Sequence, residues 1–250
     1  MRIYQTRKLL AAGLMPAAGA RLDVEGLRLR LGALDWNFAA ESLGDLATQA
    51  VKESWGAMAF LDALIRHELE RREERRIKQG LRISGLPMGY TLASFDYGFQ
   101  PAVERSRIET LATCEWIRQK HTLLLQGPPG VGKTHLASAL GVKAIETGFS
   151  VCYYRLEDLL PVLKKHAEQA TLTLQYKKYM ASNLLVVDEM GYNALTPPEA
   201  QLLFRVINYR YGRGAICLTT NKSITEWPEV LAGDEALATA MLDRLLHASH

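Results

Sequence analysis

From Leu27 to about Arg82 apolar residues recur three and four positions apart, as Leu61, Leu64, Ile65, Leu69, Ile77 and Leu81 do, and this spacing predicts amphipathic helices. The pattern stops at Ser84–Gly89, SGLPMG, where glycines and a proline break a helix and mark a linker. From near Phe95 onward, short continuous apolar runs alternate with helical periods, the signature of parallel strands joined by crossover helices. Four strands are predicted, Thr122–Gln126, Ser150–Tyr154, Asn183–Glu189 and Ala215–Asn221, with a helix over Thr134–Glu146 that Gly148 can stop. Thr196-Pro197-Pro198-Glu199 reads as a capping box opening a helix with the stripe Ala200, Leu203, Phe204, Ile207 and Tyr211, and a last helix covers Asp234–His247. The expected architecture is α/β: a parallel sheet between two helical layers, residues 91–250, preceded by a small helical domain, residues 1–90.

Composition narrows the setting. With 48% hydrophobic and 23% charged residues the chain is ordinary for a globular protein, and no apolar run approaches the roughly 20 residues of a membrane span. The basic start of the chain imitates a signal peptide, but Leu9–Ala18 is short and broken by Gly13 and Pro16, so that reading is rejected. Cys114, Cys152 and Cys217 show no CxxC spacing and point to a reducing, cytoplasmic setting. The net charge of +3 is too small to establish a polyanion partner, so the placement of basic residues has to decide. Arg71, Arg72, Arg75, Arg76 and Lys78 crowd one predicted helix, and Lys164, Lys165, Lys177 and Lys178 lie between the second and third strands. Each group reads either as a solvated helix face or as contacts to DNA phosphates.

One segment is more specific. Gly127-Pro128-Pro129-Gly130-Val131-Gly132-Lys133-Thr134 follows a predicted strand and opens a predicted helix, the context in which such a loop cradles nucleotide phosphates. Gly130 and Gly132 let backbone N–H groups turn inward, the helix N-terminus adds partial positive charge, and His135, in the first turn of that helix, is expected to belong to the same nucleotide-binding set. Lys133 is expected to reach the β/γ-phosphates of ATP, and the Thr134 hydroxyl to join Mg²⁺ coordination. Asp188 and Glu189 end a buried strand at the edge where open α/β sheets collect ligands. Asp188 is expected to hold Mg²⁺ through its water shell, and Glu189 to orient or deprotonate the attacking water. Asn221, ending the next strand, can position the same water. Arg244, on the margin of the terminal helix, is expected either to form a surface ion pair or to enter a neighbouring subunit's site and stabilise charge in the transition state.

The runs GPPGVGKTHLA, LLVVDEMGY, FRVINYRY, LTTNKSITEW and ATAMLDRLLH together resemble the IstB family of insertion-sequence ATP-binding proteins, relatives of the DnaC helicase loaders within the AAA+ superfamily. The resemblance runs from about Leu61 to the last residue. It implies that Gly127–Thr134 is Walker A, Asp188 and Glu189 Walker B, Asn221 sensor 1 and Arg244 the arginine finger. It further implies a P-loop AAA+ fold and hydrolysis of ATP to ADP and phosphate. The expected partners are double-stranded DNA, the transposase of the same element, and further copies of the chain with the ATP site at subunit interfaces. The alternative is a DnaC-like loader of a replicative helicase. Family members usually continue past the terminal helix into another strand and a Ser-Tyr-Arg segment, so a C-terminally incomplete core with impaired turnover is expected.

Overall fold

The computed structural model describes residues 23–168, 174–247 and 249, and the chain divides into two compact units, Met1–Arg76 and Ile77–His250. The stretch weighed above as a leader lies outside the described residues.

The first unit holds helices α1 (Val24–Ala33) and α2 (Asn37–Lys52) and the beginning of α3 (Ala57–Ser84). Its core is small: Ala39, Leu43 and Leu64, with Leu27, Leu31, Trp36, Leu46 and Phe60 around them. Leu64 is buried as the helical stripe predicts, whereas Leu61 and Leu69 are exposed. Glu68 is buried too, and its carboxylate accepts the Ala39 N–H at 2.7 Å, satisfying one of the orphan donors in the first turn of α2. Arg72 pairs with the same carboxylate and donates to the Asp35 carbonyl, so α3 is tied to the segment entering α2.

The units divide inside α3, earlier than the expected boundary at 90/91. The physical reason is packing: Ile77 and Leu81 lie against a core that contains Leu86 and Ile145, and a Cβ on Gly80 would stand 2.8 Å from the Ile145 side chain. Ser84–Gly89 ends the helix, but the chain has joined the second unit's core before that point.

The second unit is built on β1 (Thr122–Gln126), β2 (Val151–Arg155), β3 (Leu184–Met190) and β4 (Ala215–Thr220), all parallel in the order β1-β4-β3-β2. Side chains alternate between two faces, as the pleat requires. Leu184 and Val186 of β3, with Ala215 and Cys217 of β4, enter one core together with α4 (Arg105–Ala112), α5 (Glu115–Arg118) and α6 (Lys133–Glu146). Leu185, Val187, Ile216 and Leu218 enter the other core, against α7 (Leu156–Glu168), α9 (Pro197–Arg210), α10 (Trp227–Val230) and α11 (Glu235–Leu246). The unit is thus a three-layer α/β/α sandwich. The capping box forms as predicted, the Glu199 carboxylate accepting from the Thr196 N–H at 2.8 Å and from its hydroxyl at 2.7 Å. Among the described residues no helix is long and apolar enough to cross a membrane.

A buried cation secures the far end of the sheet. Arg210, fully buried, donates to the carbonyls of Tyr179 (3.0 Å) and Met180 (3.1 Å) in the last turn of α8 (Leu174–Ala181), and to those of Ser182 (2.9 Å) and Ala215 (2.7 Å). Burial lowers its pKa to about 10, and the carbonyls compensate because a helix C-terminus carries negative charge. Arg210→Ala leaves these acceptors unpaired above a cavity and is expected to cost about 3 kcal/mol or more, read as a lower urea midpoint.

Candidate active site

Because β1, β4 and β3 are neighbours in a parallel sheet, the segments leaving their C-terminal ends converge on one edge. The loop after β1 is shaped by Gly130 at φ +83° and Gly132 at φ +86°. A side chain at 132 would also stand 2.7 Å from the Phe95 ring, so glycine is required there on both counts. The loop delivers Lys133 and Thr134 into the first turn of α6. The Lys133 ammonium donates to the carbonyls of Gly127 and Pro128, both at 2.7 Å. Burial lowers its pKa from the ordinary lysine value, and the neighbouring Asp188 carboxylate acts against that shift.

Asp188 is fully buried and gathers three hydroxyls. Thr134 donates to its Oδ1 at 3.1 Å, Thr219 of β4 to the same oxygen at 2.5 Å, and Tyr153 of β2 to its Oδ2 at 2.6 Å. Burial, reinforced by this carboxylate, pushes the Tyr153 phenol pKa upward, so it remains a donor at neutral pH. Glu189 is exposed and lies 3.7 Å from the Arg155 guanidinium at the end of β2, which raises the Arg155 pKa.

A cavity of about 440 Å³ opens over this edge, lined by Gly130, Gly132, Lys133, Thr134, Glu189 and Asn221 together with Pro129, Thr219, Thr220 and Tyr192. Tyr90 and His135 also line it, their rings 4.8 Å apart. The His135 Nε2 lies 2.8 Å from the Thr91 carbonyl, so this ring holds the segment before Phe95 over the start of α6. Gly127, Pro128 and Val131 line a separate groove along β1 instead of the cavity. The hard oxygens of Thr134 and Asp188 suit Mg²⁺, which binds through one or two protein oxygens plus phosphate and water. Among the described residues no group of three or more His, Cys, Asp or Glu side chains forms a metal cage, so any such ion depends on the ligand for the rest of its shell.

The remaining candidates are dispersed. Arg244 does not reach its own chain's cavity: it donates to Asn208 Oδ1 at 2.6 Å and to the Ala240 carbonyl at 3.1 Å, and lies over the Phe204 ring. It borders a pocket that includes Thr122 and Ile216, near the N-terminal ends of β1 and β4. In α3, Arg71, Arg72 and Arg76 are paired with Glu74, Glu68 and Glu73, while Arg75 and Lys78 have no ion pair among the described residues. Lys164 pairs with Glu199 at 2.8 Å; Lys165 and Lys178 are exposed, and the Lys177 side chain lies outside the described residues. Sequence reasoning missed Tyr153, Thr219 and Arg155. Their only signal was position, on the strands that flank β3.

Residues 29–250 match the family model described as IstB-like ATP binding protein. Over 227 residues the chain is 38% identical to the insertion sequence IS21 ATP-binding protein of Pseudomonas aeruginosa, covering 91% of this chain and 84% of that one. It is 40% identical over 209 residues to the IS5376 counterpart of Geobacillus stearothermophilus, covering 79% and 83%. Among solved structures, a DNA replication initiation factor aligns with a TM-score of 0.54 at 20% identity, over 66% of this chain and 49% of that one. AMPPCP-bound DnaA from Aquifex aeolicus aligns at 0.51 and 21%, over 63% and 48%. These likenesses place the α/β/α unit in the AAA+ fold.

Proposed function

Since this chain belongs to the family of IstB-like ATP binding proteins, we propose that it is an ATPase of DNA transposition, which assembles on double-stranded DNA in the presence of ATP and recruits or activates the transposase of its element. The observation that carries the catalytic part is the single edge where the glycine loop, Glu189 and Asn221 line one cavity, with Asp188 buried behind it and hydrogen-bonded to Thr134. The transposition part rests on the insertion-sequence relatives, and cytoplasmic localisation accompanies it.

In this reading the backbone N–H groups of Gly130, Gly132, Lys133 and Thr134, at the N-terminus of α6, hold the phosphates, and Lys133 turns from its two carbonyls to the β/γ-oxygens. Thr134 and Asp188 would hold Mg²⁺, which would supply counter-charge for the phosphate oxygens. Glu189 takes the proton of the attacking water or orients it, and Asn221 fixes that water from the position just after β4. Arg244 acts on a neighbouring copy, a role supported by its distance from its own cavity. His135 shapes the wall of the nucleotide site through its contacts with Tyr90 and Thr91.

For DNA, Arg75, Lys78, Lys165 and Lys178 stand ahead of Arg71, Arg72, Arg76 and Lys164, whose charges are already committed to glutamates. Lys177 stays with Lys178 in this group by sequence position. Replacing Lys165 and Lys178 with alanine is expected to flatten the dependence of duplex affinity on salt by about 0.9 in logarithmic slope for each phosphate left unneutralised; an unchanged slope removes α7 and α8 from the DNA surface. The proposal is tested by steady-state ATP hydrolysis with duplex or single-stranded DNA. Stimulation by duplex is expected, and stimulation confined to single strands favours the helicase-loader alternative.

A further inference from the structure

In a regular strand adjacent side chains point to opposite faces, so two neighbouring carboxylates on β3 would diverge. A bulge prevents this. The β3–β4 register runs through Val187↔Leu218 and resumes at Met190↔Thr220, leaving Asp188 and Glu189 together opposite Thr219. Glu189 adopts φ +61°, a left-handed conformation that is unfavourable for a residue with a Cβ. What compensates is Thr219: its Oγ1 accepts the Glu189 N–H at 2.9 Å and donates its own proton to Asp188 Oδ1 at 2.5 Å. The residue is buried, so water does not substitute readily for either bond.

We infer that Thr219 is a positioning residue for both acidic side chains, its one hydroxyl holding the bulge that presents Glu189 to the cavity and fixing the Asp188 oxygen that faces Thr134. In this role it acts through its two neighbours. The inference rests on the ATPase reading for its catalytic consequence, while its structural consequence is measurable without turnover.

Thr219→Val keeps the branched shape and removes both bonds; Thr219→Ser keeps the hydroxyl. Titration of a fluorescent ATP analogue with and without Mg²⁺ separates the two. For Thr219→Val the metal-free affinity is expected to be unchanged and the gain in affinity on adding Mg²⁺ to shrink about tenfold, with kcat falling about 10²-fold and KM moving little. Thr219→Ser is expected to restore both. If Thr219→Val melts too low to assay, Thr219→Ala and Thr219→Ser are compared at a lower temperature with the same readouts. A valine variant with the wild-type Mg²⁺ effect and kcat, or a serine variant as impaired as the valine one, overturns the inference. Were the wild type to bind ATP without hydrolysing it, the ATPase reading would fall and the Mg²⁺ effect on affinity would still decide the role of Thr219.

Discussion

Lys133→Ala is expected to abolish nucleotide binding, weakening affinity for ATP by about 10²-fold or more. The size follows from what the ammonium does. It sits at the mouth of α6, folded onto two loop carbonyls at 2.7 Å, and is the one lysine or arginine side chain that lines the cavity among the described residues. An anionic triphosphate bound there without it keeps only backbone dipoles as counter-charge. Alanine is an excellent helix former, so α6 and the melting temperature should change little. Titration of a fluorescent ATP analogue checks the result, and wild-type affinity in this variant would move the phosphate site elsewhere.

Glu189→Gln is expected to act on the other half of the cycle, leaving ATP binding intact while turnover drops by about 10² to 10⁴-fold. Glutamine preserves the side chain's length and the strained backbone held by Thr219, and removes only the basic oxygen. The ion pair with Arg155 is lost as well, but Arg155 is half exposed and such pairs contribute little to stability. Single-turnover hydrolysis alongside analogue binding separates the steps. Ordinary hydrolysis by this variant would show that another group activates the water.

Much of this site is legible in the sequence because its parts lie within short contiguous runs. The glycine loop carries strand and helix signals on either side, and the apolar run Leu184–Val187, as a buried strand requires, leads directly into Asp188 and Glu189. What the sequence hides is the meeting of distant segments. Tyr153 and Thr219 are 35 and 31 residues away from Asp188, and each reads as ordinary strand filler until parallel pairing brings β2 and β4 to either side of β3. The bulge is equally invisible, since no local pattern distinguishes it from regular alternation. Helical periodicity finds α3 but does not tell which core each turn enters; Leu64 faces one unit, Ile77 and Leu81 the other. The arginines of α3 look like a uniform basic stripe in sequence, and intrahelical glutamates neutralise three of them.

The claim that governs all others is that ATP drives this chain to assemble on double-stranded DNA. Sedimentation of the full chain with duplex or single-stranded DNA several helical turns long, with ATP, ADP or no nucleotide, tests it directly. The account predicts large particles only with duplex and ATP; particles confined to single strands, or sedimentation indifferent to DNA and nucleotide, would contradict it.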